Sequence, residues 1–189
     1  MSYKSYKFFD MTFFIFIAII ASVINELAFN KIGKNYFYIN LSLLISLIAI
    51  IRWRYIGSIC FIFGGLVKFF FEKNMDPIYK FFYYVLANIS IFLIPLIFKN
   101  QITKLKDSFK LSIIYIIVSV LIIGIFKALV VFIFEHNFWG FLYQYYAFDI
   151  FNTLITNIFY YLIYKFGNDL LSNMKEYLIK MQGENKDEQ

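Results

Sequence analysis

The stretch Ser119–His136, SVLIIGIFKALVVFIFEH, is apolar until its end except for Lys127. An ammonium inside such a run costs roughly 2.5–3.5 kcal/mol on membrane-insertion scales, so it normally faces a partner or a wet cavity. Asp149 and Asn152 interrupt the last apolar run one helical turn apart, Asn88 interrupts an earlier one, and Asn25 and Glu26 close the first. Lys127 and Asp149 suit an ion pair between neighbouring helices, or the wall of a pocket for a polar ligand, and one arrangement can serve both. Lys68 stands three residues from the end of its run, where a lysine can snorkel. His136 and Trp139 flank the short turn HNFWG. There Trp139 suits an interfacial anchor, and His136 suits a solvated turn more readily than a ligand.

Other chemistry is sparse. There is no HExxH, GxSxG, P-loop or GxGxxG pattern. One histidine excludes a two-histidine metal site, and the lone Cys60 excludes an internal disulfide or a cysteine-based metal cluster. The expectation is that the chain is not an enzyme and carries no cofactor or metal. Glu135 and His136 are the one adjacent acid–base pair, without a nucleophile or metal ligand beside them.

The elements that must position these groups are set by composition. Of 189 residues, 61% are hydrophobic, 23% aromatic and 16% charged, with a mean hydropathy of +0.69. A soluble domain is nearer a quarter charged, and so large an apolar excess has no single core to hide in. Apolar segments recur at Phe9–Phe29, Tyr36–Ile51, Tyr55–Phe71, Ile78–Phe98, Leu111–Phe134 and Phe141–Phe166. Each approaches the ~20 residues that cross ~30 Å of hydrocarbon as a helix. Open strands leave polar backbone unsatisfied in lipid. The prediction is therefore an all-α integral membrane protein, a compact bundle of six transmembrane helices, with five as the alternative count. The second and third segments, parted only by Arg52-Trp53-Arg54, predict a tight hairpin or a partly embedded pair. The first run lacks a small-residue cleavage site and reads as a retained helix.

The net charge of +6 suggests membrane orientation here rather than nucleic acid, because the basic residues cap apolar runs. Counted by alternate loops, twelve Lys and Arg fall on one side, Arg52 and Arg54 among them. Four fall on the other: Lys31, Lys34, Lys73 and Lys80. That places both termini in the cytoplasm of a multi-pass inner or plasma membrane protein. Lys127 then lies ~10 Å and Asp149 ~12 Å below the outer surface. Asn88, Asn152, Asn25 and Glu26 join them in the outer half. Residues 1–167 form the transmembrane domain, and 168–189 a cytoplasmic amphipathic or disordered tail. Its Leu170, Leu171, Met174, Leu178 and Met181 make an apolar stripe for the membrane surface, or for a cytoplasmic partner. Small residues let membrane helices approach closely. Ala18, Ala21 and Ser22 in the first span, and Gly64-Gly65 in the third, suit internal packing or a docking face for another membrane protein.

The local sequence also resembles the substrate-binding S-component of energy-coupling factor (ECF) importers. The resemblance rests on YFYINLSLLISLIAIIRWRYIGSICFIFGGLVKFF, with its RW dipeptide and later GGL, then on YVLAN, FKALVVFI and FDIFNTLI in order, and on the tail FGNDLLSNMKEYLIKMQGE. Such proteins tend to carry Arg where Lys127 stands and Gly where Arg54 follows Trp53. The resemblance implies a subunit that captures a vitamin, precursor or similar small molecule from outside. It implies partners, namely a transmembrane coupling protein and two ATPase subunits, with Ala18 and Ser22 contacting the coupling protein. Asn88, Lys127, Asp149 and Asn152 would line the pocket, with Asn25 and Glu26 at its outer margin and His136 and Trp139 closing over it. The alternatives are a non-enzymatic oligomer (pore, effector or immunity protein) and a small membrane enzyme using Glu135 and His136.

Overall fold

The computed structural model describes residues 3–32, 41–172, 174 and 177 of the chain. These are predominantly helical, with no strand among the described residues: α1 (Tyr3–Ile32), α2 (Leu41–Trp53), α3 (Ile59–Phe71), α4 (Pro77–Phe81), α5 (Ile94–Ile97), α6 (Phe109–Glu135) and α7 (Phe138–Phe166). A π-helical stretch, Phe82–Leu86, and a 3₁₀ stretch, Ala87–Leu93, join α4 to α5 in one irregular rod. Four segments are long and apolar enough to cross a membrane: Lys4–Ala28, Leu41–Phe71, Pro77–Ile97 and Phe109–Glu135.

Leu41–Phe71 doubles back as RWR predicts. Arg54 takes a left-handed backbone (φ 53°), the conformation glycine adopts most cheaply. Gly57 then lies against the backbone of Ala49, where a β-carbon would fall 2.2 Å from the carbonyl carbon. Further along the hairpin, Gly64 meets Ser42 of α2 and Ser22 of α1, at 2.9 and 3.0 Å from its own missing β-carbon. Each arm has 13 described residues, a rise of about 20 Å, so α2 and α3 are the short members of the bundle.

The α1 helix is apolar on both sides, and packing decides which side turns inward. Met11, Phe14, Ala18, Ala21 and Ser22 are buried, while Phe9, Phe13, Phe16, Ile20, Ile24 and Leu27 are exposed. Of the two uses the sequence offers for Ala18, Ala21 and Ser22, the burial favours internal packing. Their exposures are 0%, 8% and 2%, because their small side chains bring α1 against the hairpin. The exposed aromatic and aliphatic row suits lipid.

In α6 the buried residues recur at three-to-four spacing: Ser112, Tyr115, Ile116, Ser119, Val120, Ile123, Gly124, Lys127, Ala128 and Val131. Lys127 thus sits on the inward stripe. Ser108 caps the start of α6, its hydroxyl accepting from Leu111 N, and His136 ends the helix in a left-handed turn (φ 56°). Asn137 opens α7 by accepting from Gly140 N at 3.1 Å. The α7 helix runs back along α6, where Gly124 leaves room for the rings of Tyr145 and Tyr146.

The chain after α7 does not simply leave the bundle. Following the turn Asn168–Leu171, Leu171 and Met174 are buried and belong to the same core as Leu47 and Trp53. These two positions of the apolar stripe pack on the protein itself rather than on a membrane surface. Leu178 and Met181 lie outside the described residues.

Candidate functional site

The polar side chains sort toward two ends. At the end of the hairpin turn, Asp10 of α1 accepts from Arg52 Nε at 3.0 Å and Nη2 at 3.2 Å, and from Trp53 Nε1. Arg52 also donates to the carbonyl of Leu170 at 3.4 Å and covers the Phe14 ring at 5.6 Å. Every strong donor of the RW dipeptide is thus spent on neighbours within the protein. Leu171 and Met174 pack beside this cluster, so the end is closed.

The opposite end is built differently. Lys127 is 6% exposed, with its ammonium 5.0 Å from the Tyr83 ring centroid and 5.5 Å from that of Tyr145. Desolvated cation–π contacts contribute about 2 kcal/mol each, and two of them offset most of the cost of placing an ammonium in an apolar helix. Tyr83 stands edge-on to Tyr84 at 5.0 Å and to Phe141 at 5.9 Å. Tyr79 stacks on Phe134 at 4.9 Å, and its hydroxyl shares a hydrogen bond with Glu135.

Tyr84, beside Tyr83 on the π-helical stretch, serves another set of groups. Its ring lies within electrostatic reach of Glu26 and Glu72, and Glu26 interacts with Lys68 as well as Glu72. The Tyr84 carbonyl accepts from Asn88 Nδ2 at 2.8 Å. Gly65 permits this, because a β-carbon there would fall 2.1 Å from that carbonyl oxygen. A carbonyl can only accept, so the Asn88 amide nitrogen must face it and the oxygen must point elsewhere. Asn88 is 3% exposed, and its Oδ1 has no hydrogen-bond partner among the described residues. A buried acceptor left in this way costs about 1–3 kcal/mol. Single-turn π-helical distortions of this kind occur frequently at functional sites.

Glu26, Asn88 and Lys127, singled out in the sequence, fall at one end of the bundle, linked through Tyr83 and Tyr84. Asn25 is half-buried one residue from Glu26. His136 is exposed and edge-on to Phe132, and Trp139 is 78% exposed, so these two stand at the rim rather than inside. Asp149 and Asn152 lie on α7, but their side chains fall outside the described residues, and with them the Lys127–Asp149 pair. Glu135 is directed to Tyr79 and His136 to Phe132, which separates the one acid–base pair of the sequence. Among the described residues no three His, Cys, Asp or Glu side chains gather as metal ligands.

Sequence reasoning missed Tyr83, Tyr84 and Tyr145, because 16 tyrosines leave no single one conspicuous. The available signal was spacing. Tyr145 lies four residues before Asp149, and YYVLAN puts Tyr84 one turn before Asn88. No protein-family model, curated protein or solved structure matches this chain.

Proposed function

We propose that the chain is a membrane-embedded solute-binding protein. It has six spans and both termini in the cytoplasm, and takes a small polar ligand from the outer side. The observation that carries this reading is the outer-end constellation. There a buried ammonium is framed by Tyr83 and Tyr145, and the Asn88 carbonyl oxygen, without a hydrogen-bond partner among the described residues, is held in the adjoining wall by Gly65 and Tyr84. A buried acceptor such as Asn88 Oδ1 is understandable where a ligand donor completes it. The closed Asp10–Arg52–Trp53 end and the apolar middle of the core, with Leu47, Ile50, Ile91, Ile116 and Ile123 buried, favour a cup over a pore.

The sequence resemblance extends this to the S-component class of ECF importers, with a coupling protein and two ATPases as partners and a vitamin or precursor as ligand. On this reading the chain itself is not a catalyst. Its docking surface is not the Ala18 seam. Mass spectrometry of small molecules retained by the purified protein is the direct test. A stoichiometric ligand that Lys127→Met no longer retains is expected. Uptake that requires co-expression of a coupling module would support the importer class. Cation leakage through a symmetric oligomer, with no retained ligand, would overturn the reading.

A further inference from the structure

The seam between α6 and α7 reaches the closed end of the bundle with two lysines and two apolar rows. On α6, Lys110, Ile114, Ile117 and Leu121 are exposed at three-to-four spacing, a stripe separate from the buried one through Ser112, Tyr115 and Ser119. On α7, Leu154, Ile158, Tyr161 and Lys165 repeat that spacing in the opposite chain direction. Each stripe is therefore apolar along its length and headed by a lysine at the same end. The two meet there. The Phe109 ring, next to Lys110, stands 5.1 Å from the Tyr161 ring and 5.7 Å from that of Tyr164. The Lys165 ammonium lies 5.3 Å from the Phe166 ring, a contact that leaves its charge in place. The segment leading into α6 is fixed to the core, for Ile102 and Leu105 are buried and the Leu105 carbonyl accepts from Ser112 Oγ at 2.8 Å. Lys104 and Lys106, on either side of Leu105, add positive charge. Asp107 is the only acid between Phe98 and Leu111, and among the described residues it makes no ion pair with these lysines.

Independently of solute binding, we infer that this end of the α6–α7 seam is a site for an anionic phospholipid. Its phosphate lies between Lys110 and Lys165, and its acyl chains run down the exposed rows of α6 and α7. Tyr161 and Tyr164 stand where headgroup gives way to hydrocarbon, the depth that tyrosine favours. The two lysines reach from helix ends to the headgroup level on their own apolar stems. Basic sites between membrane helices hold acidic headgroups in this manner. A zwitterionic lipid covers the rows but gives the lysines no net charge to meet. An acidic soluble segment meets the lysines but leaves the rows bare. An anionic lipid matches both parts at once.

The test is native mass spectrometry of the purified full chain, titrated with phosphatidylglycerol or phosphatidylcholine in detergent. One phosphatidylglycerol should bind in preference to phosphatidylcholine. In Lys110→Gln/Lys165→Gln its affinity should fall about thirtyfold, at the usual contribution of two lysines near an anionic headgroup. The melting temperature without lipid should stay unchanged, because both side chains are exposed. The control is Lys4→Gln/Lys99→Gln, which removes the same charge at the same end but away from α6 and α7, and it should bind the lipid as the parent does. Equal losses in the two double variants would show a diffuse surface charge and overturn the inference. So would phosphatidylcholine held as tightly as phosphatidylglycerol. Binding of poly-glutamate that needs Lys110 and Lys165, when lipid binding does not, would place an acidic polypeptide there instead and also overturn it.

Discussion

Removing the carboxylate of Asp10 isolates the energetics of the closed end. In Asp10→Ala, Arg52 loses two charge-assisted bonds and Trp53 Nε1 loses its bond to Asp10, yet the guanidinium stays enclosed by Phe14, Leu170 and the core. Breaking one partner of a buried ion pair costs about 3–5 kcal/mol, because the remaining charge is uncompensated. At about 2–4 °C per kcal/mol for a chain of this size, the melting temperature should fall by roughly 6–20 °C. The double variant Asp10→Leu/Arg52→Leu, which removes both charges, should regain most of that loss, since apolar replacement of a whole buried pair is often neutral. The two tryptophans make the assay direct. In a Trp139→Phe background, the emission of Trp53 reports unfolding from within the cluster itself. A loss below about 1 kcal/mol in Asp10→Ala, or a double variant whose loss equals the sum of the single ones, would refute the claim that the pair acts as one buried unit.

Three further outcomes follow from the packing. Ala18→Trp should destabilise the protein by about 3 kcal/mol or more by overpacking the α1–hairpin seam, read as loss of monodisperse protein on gel filtration; a well-folded variant would mean that the seam opens to lipid. Arg54→Gly should raise stability by about 1 kcal/mol in thermal unfolding, because a non-glycine left-handed residue is strained; an unchanged or lower melting temperature would show that the contacts of the Arg54 side chain outweigh that strain. Lys127→Met should leave the stability of ligand-free protein within about 1 kcal/mol of the parent while removing ligand retention, whereas collapse of the fold would make Lys127 a structural residue.

The class of fold was legible because it rests on hydrophobic runs, which need no long-range information. The hairpin was legible too, since two basic residues and a tryptophan between short apolar runs leave the chain little choice but to turn. Lys127 could be placed facing inward from the three-to-four spacing of Ser119, Ile123 and Gly124 around it. The partner of Arg52 was not legible, as Asp10 is 42 positions away and nothing local marks it. Small residues left two uses open at Ala18 and Ser22, because the same pattern serves a buried seam or an open face, and the position of Gly64 against Ser22 favours the seam. The π-helical turn at Phe82–Leu86 leaves no pattern in the sequence. It depends on a glycine of α3 that gives one carbonyl room to tilt.

The Asp10–Arg52–Leu170 cluster also sets an order of assembly. Asp10 and Arg52 are both synthesised within the first third of the chain, so each can neutralise the other while α1 and the hairpin are entering the bilayer. The bond from Arg52 to Leu170 spans 118 positions and must wait until α7 has left the ribosome. Before that, the Asp10–Arg52 pair ties α1 to the hairpin at this end. The turn Asn168–Leu171 therefore closes this end only after α7 has been made.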